Sequence, residues 1–217
     1  MVSDKQYRVN LVFYFIGYLI LIPWMIHLVG TVFTINEMLV TLIVPICWSG
    51  LLIYQNRKAI FEEGHCHIFK GILWGVLLFG IQWGINLLIS HFFGDIYSGL
   101  QNSNQNNLAN AILEMRTLAL ITTCVFIPVM EEIIFRYSVT KALRKVIKKE
   151  NLVFILSVLI FCLMHCVPGM MRGNYLEILN MVFYLAPAWF LQRLYKKTGG
   201  IQTGAIAHIT YNLLALS

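Results

Sequence analysis

The run MEEIIFR, Met130 to Arg136, sets two adjacent glutamates and an arginine in an otherwise apolar stretch. Carboxylates are among the side chains that take and return protons during hydrolysis. Within a bilayer, a single charge at mid-depth costs about 3 to over 10 kcal/mol. Glu131, Glu132 and Arg136 therefore need partners or a purpose. Helical spacing sorts them. Glu132 and Arg136 are four apart and share a face, so they can pair. Glu131 points about 100° away, because a helix turns once every 3.6 residues. It is left without an intrahelical cation and is free to act as a base. A structural polar cluster is the alternative, and it is favoured for Glu132 with Arg136; catalysis is favoured for Glu131.

Two further polar groups lie in apolar runs. His165 sits in FCLMHC, with Phe161 one turn earlier on the same face. A lone membrane histidine can also serve simply as a hydrogen-bonding link between helices. In HITYN, His208 and Asn212 are one turn apart. They could offer donors to a common point, as an oxyanion-binding pair requires, or bond structurally to the next helix. Glu131, His165, His208 and Asn212 belong to three segments and could converge in one wet cavity. Counted from the cytoplasmic ends, Glu131 and His208 lie about 10–15 Å deep and His165 about 20 Å deep. Tilt or a kink has to reconcile these depths, and Pro128 is the expected kink.

The elements that must position these groups are membrane helices. Of the 217 residues, 59% are hydrophobic and 12% charged, about half the charged share of soluble domains. An all-α, polytopic transmembrane bundle follows. The chain is read as one membrane domain, 1–217, with the motif-bearing core at about 117–216. Apolar runs of roughly spanning length occur at 9–30, 34–54, 71–93, 117–140, 152–167, 175–194 and 201–216. Seven spans are expected, with eight as the alternative. This order puts Lys5, Arg8, Arg57, Lys58, Lys70, Lys141, Arg144, Lys145, Lys148, Lys149, Arg193, Lys196 and Lys197 on one side. Only Arg116 and Arg172 fall on the other, which predicts a cytoplasmic N-terminus. The net charge of +6 is thus a topology signal and a contact for anionic lipid, and no nucleic-acid partner is expected. The first apolar run shows no small-residue cleavage site and is read as a retained helix. Five scattered cysteines give no disulfide framework. The polar stretch from Gly94 to Asn110 is expected to be a flexible connection.

In chain order, EEIIFR fits EExxxR, FCLMH fits FxxxH and HITYN fits HxxxN. Over about 131–212 the chain resembles the CPBP family, the CAAX-protease and bacteriocin-processing intramembrane endopeptidases, also called Abi. The resemblance implies that Glu131 and His165 activate the attacking water. It implies that His208 and Asn212 stabilise the oxyanion, with Glu132 and Arg136 supporting the site. Bacterial members are associated with bacteriocin self-immunity and with maturation of secreted peptides and pheromones; eukaryotic members trim prenylated CAAX proteins. The short chain is bacterial in type. The expected partners are therefore the lipid bilayer and a membrane-associated peptide or protein in a bacterial plasma membrane, and a prenylated substrate is less favoured. No cofactor is expected. The alternative is zinc held by Glu131, His165 and His208, two histidines and a carboxylate, although HExxH is absent.

Other polar groups are set aside. EEGHCH, Glu62 to His67, lacks a second ligand group for a metal. His27, His91, Glu37 and Glu177 lie near span ends and need no special role. Two rival functions remain: a non-catalytic bacteriocin immunity or binding protein using the same cavity, and a proton-coupled transporter, against which stands the lack of visible repeats.

Overall fold

In a computed structural model of the chain, residues 5–33, 36–62, 64–99 and 103–216 are described. They are mostly helix, as expected of an all-α bundle. We number these α1 (residues 6–33), α2 (Glu37–Gln55), α3 (Arg57–Glu62), α4 (Ile68–Gly99), α5 (residues 103–146), α6 (Glu150–Met171), α7 (Met181–Thr198) and α8 (Gln202–Leu216). Asn36 caps α2 by accepting from the Met38 and Leu39 amides at 2.9 and 3.2 Å, as N-cap asparagines do.

Among the described residues, five helices are long and apolar enough to cross a membrane: Gln6–Val29, Glu37–Gln55, Ile68–Gly94, Asn106–Val146 and Glu150–Met171. The sixth and seventh expected spans are helices, but shorter or more charged. The last turns of α7 carry Arg193, Lys196 and Lys197. The 15 residues of α8 reach only about 22 Å, against about 30 Å of hydrocarbon. They form a hairpin turned at Gly199, whose φ of +71° is the left-handed cap that glycine adopts without a Cβ clash.

The expected connection at Gly94–Asn110 is mostly helix. The described part of it extends α4 to Gly99, past a break at Phe93, and opens α5 at Ser103; 100–102 lie outside the described residues. Gln, Leu and Ala in this stretch are good helix formers, so its polarity alone did not mark a loop.

Two glycines seat α8 on α4. A Cβ at Gly71 would lie 2.8 Å from that of Ile206, and one at Gly75 would lie 2.5 Å from that of Thr210. This four-residue small-residue spacing lets membrane helices touch backbone to backbone. The loop 64–67 ties on at the α7–α8 turn. The amides of His65 and His67 donate to Thr198 O and Thr203 Oγ1 at 3.2 and 3.0 Å, and Thr203 Oγ1 donates to His65 O at 3.0 Å. EEGHCH is thus a docking loop on the α7–α8 turn.

Candidate active site

The polar motif segment is not lipid-facing. Residues 130–140 of α5 are buried without interruption, with Ile133, Ile134 and Phe135 in the main core beside Leu52, Phe161 and Ala188. Two π-helical stretches, Thr122–Phe126 and Glu132–Val139, flank this turn. Each widens the backbone and re-aims side chains, as π insertions near functional sites do. Hydroxyls hold the second stretch: Ser138 Oγ donates to Ile133 O at 2.9 Å and Thr140 Oγ1 to Phe135 O at 3.1 Å, each five residues back. Asn10 of α1 donates to Ser138 Oγ at 2.9 Å, and Gln192 of α7 to Thr140 Oγ1 at 3.1 Å. Four polar contacts therefore lock the register in which the glutamates are presented.

Glu131 lies between two imidazoles. Its Oε1 is 3.5 Å from His165 Nε2, and its Oε2 is 3.6 Å from His208 Nε2. His165 Nδ1 is 2.9 Å from Phe161 O. A carbonyl only accepts, so that nitrogen carries the hydrogen. In the neutral ring, Nε2 is then an acceptor facing an acceptor, which a water donating to both would satisfy; in the imidazolium, Nε2 donates to Glu131 directly. The His165 ring also lies between Phe161 and Tyr184, at centroid distances of 4.4 and 4.5 Å.

His208 touches both glutamates. Its Nδ1 is 3.2 Å from Glu132 Oε1, so the same ring joins Glu131 to Glu132. The Arg136 Nε lies 3.5 Å from that Glu132 oxygen, with both side chains wholly buried; the expected i, i+4 pair forms. The guanidinium stacks over Phe161 at 4.5 Å. Gly204, one turn before His208, leaves room for Glu132: a Cβ there would lie 2.8 Å from Glu132 Oε2. Glu131 and His165 stay partly open, at 11% and 16% side-chain exposure, whereas Glu132 and Arg136 have none. The first pair is thus reachable from outside the core, and the second is sealed within it.

Asn212 shares the His208 face of α8 but has a different partner, donating from Nδ2 to Thr123 O at 2.9 Å. The contacts of Thr123, Tyr184 and Gly204 had no sequence signal beyond helical spacing. Glu177, expected to be unremarkable, is buried and accepts from Asn180 Nδ2 at 2.8 Å.

For zinc, Glu131, His165 and His208 are chemically suitable donors, with each ring's Nδ1–H held from behind as zinc-bound histidines require. Among the described residues, however, no three such side chains are grouped so as to hold a metal ion. Both Nε2 atoms face the Glu131 oxygens rather than a common point.

Long apolar helices around a buried carboxylate–imidazole cluster define a polytopic helical membrane protein with titratable groups enclosed in its interior. Residues 113–214 match the family model described as type II CAAX prenyl endopeptidase Rce1-like, and this segment contains all three motifs. Neither a curated protein nor a solved structure matches the chain. The family supports a CAAX-type intramembrane endopeptidase as the class, with a bilayer and a peptide substrate as its partners.

Proposed function

We propose that the chain is a glutamate-type intramembrane endopeptidase that hydrolyses a membrane-associated peptide of the bacteriocin or pheromone maturation type, or of the self-immunity type, in a bacterial plasma membrane. The observation that carries this reading is Glu131 between the Nε2 atoms of His165 and His208. A water shared by Glu131 and His165 loses a proton to the carboxylate as its oxygen attacks the scissile carbonyl carbon. The oxyanion forms beside His208 Nε2, which donates once that nitrogen is protonated, and beside the Asn212 amide. The C–N bond then breaks, and Glu131 returns the proton to the leaving amine. Glu132 orients His208 through Nδ1, and Arg136 balances its charge. Such general acid–base help contributes roughly 10²–10⁴-fold. A fixed oxyanion donor contributes about 10²–10³-fold.

No metal is required on this reading. Purified protein should carry no stoichiometric zinc and keep its activity after chelation; bound zinc whose removal ends cleavage would replace the glutamate mechanism. The functional test is mass spectrometry of secreted peptides with and without the gene, together with Glu131→Gln and His165→Ala. Both variants should insert normally and lose the processed peptide. If both still process it, the mechanism is wrong. Protection from a bacteriocin that survives Glu131→Gln would favour the non-catalytic binder.

A further inference from the structure

Asn212 has an unusual partner for a residue expected to face an oxyanion: a main-chain carbonyl in the middle of another helix. In an α-helix, Thr123 O would accept from Ile127 N–H. The Thr122–Phe126 stretch is π-helical, however, and Ile127 N–H goes five residues back to Thr122 O. The next amide in that register belongs to Pro128, which has no N–H. Thr123 O therefore receives a hydrogen bond from neither residue. A bare carbonyl in a membrane interior costs free energy comparable to a lost hydrogen bond. Asn212 Nδ2 supplies the missing donor at 2.9 Å, reaching from α8 to the π stretch about two turns ahead of Glu131. Thr123 cannot help itself, since its hydroxyl donates to Ala119 O at 2.7 Å.

We propose that Asn212 is a positioning residue: its amide splints the carbonyl that the π register and Pro128 leave open, and so fixes both the segment presenting Glu131 and its own second N–H. An amide nitrogen carries two hydrogens. The one on Thr123 O locks the plane of the group, and the other, uncommitted among the described residues, is held in a set direction beside His208. The splint joins α8, which bears His208, to α5, which bears Glu131. It thus holds the carboxylate and the imidazole in mutual register, and the catalytic part of the inference rests on the endopeptidase reading above.

The test is a double-mutant cycle of Asn212→Ala and Pro128→Ala in the purified full-length protein. The probe is an internally quenched CAAX peptide, with and without a farnesyl group, and thermal unfolding is followed in parallel. Asn212→Ala should lower kcat by about 10- to 100-fold through misplacement, leave KM within about twofold, and lower the unfolding midpoint. In the Pro128→Ala background the new amide can serve Thr123 O. The same substitution should then have a markedly smaller effect on both kcat and the midpoint. Equal factors in the two backgrounds would overturn the splint and leave Asn212 as an oxyanion donor alone. Coupling in the midpoint without coupling in kcat would overturn the positioning role. Asn212→Asp, the same size but presenting oxygen to oxygen, should unfold below Asn212→Ala; a midpoint at the wild-type value would also overturn it. If the wild type cleaves neither peptide, the endopeptidase reading loses support, while the unfolding cycle still decides the splint by the same criterion.

Discussion

The first three membrane helices and the two that follow share a hydropathy but not a use. Of the most apolar window in each, 17%, 22% and 17% is buried inside the protein for Gln6–Val29, Glu37–Gln55 and Ile68–Gly94, against 50% and 39% for Asn106–Val146 and Glu150–Met171. In the first group, apolar side chains mostly face outward, as Leu73, Trp83 and Leu88 do. In the second they enclose charge. Lipid tails are as apolar as leucine and drive no helix together; polar contacts and close packing have to do that. The chain concentrates both in α5, where a wholly buried Glu132–Arg136 pair and two π stretches sit side by side. A helix that only spans can be uniformly greasy, whereas one that holds a reactive group needs a fixed rotation, and that takes specific bonds.

The contrast can be broken most sharply at Glu131. Glu131→Gln should lower kcat by roughly 10²–10⁴-fold in a peptide-cleavage assay with normal membrane insertion. An activity within a few-fold of wild type would remove the distinction between the halves. His208→Ala should follow with a loss of about 10²–10³-fold, read in the same assay. Arg136→Met leaves the Glu132 carboxylate buried without its cation and should destabilise the fold by about 3–5 kcal/mol, measured by thermal unfolding in detergent. Gly75→Leu would force α8 from α4 and should cost about 1–3 kcal/mol as an overpacked contact. The smallest effect belongs to Leu88→Ala on the outward face of α4. With 60% of that residue exposed, a change within about 0.5 kcal/mol is expected; a larger loss would show that the outward face packs against something.

Much of the site was legible because helical periodicity is local. Four-residue spacing placed Glu132 with Arg136 and aimed Glu131 elsewhere, and the contacts at 3.5 and 3.6 Å agree with that sorting. The same rule set His208 and Asn212 on one face but could not name their targets, a glutamate pair for one and a carbonyl for the other. The mismatch in depth was expected to be reconciled by tilt or by a kink at Pro128. Rises of 1.5 Å per residue assume regular helices, and α5 carries two π stretches besides that proline, while the three groups do meet. Gly71 and Gly75 look like ordinary helix glycines until α8 is seen to lie against them. The polar stretch after Gly94 misled because polar composition alone does not separate helix from loop.

By itself the sequence determined the class of the protein, its helical content and the identity of the polar groups, since transfer from water and helical repeat are properties of single segments. Tertiary structure alone decided which nitrogen faces which oxygen, how far each charge is withdrawn from solvent, and that Asn212 completes another helix's backbone. Those outcomes depend on where separate helices stop sliding against one another, which close packing and shared hydrogen bonds fix and no local pattern encodes.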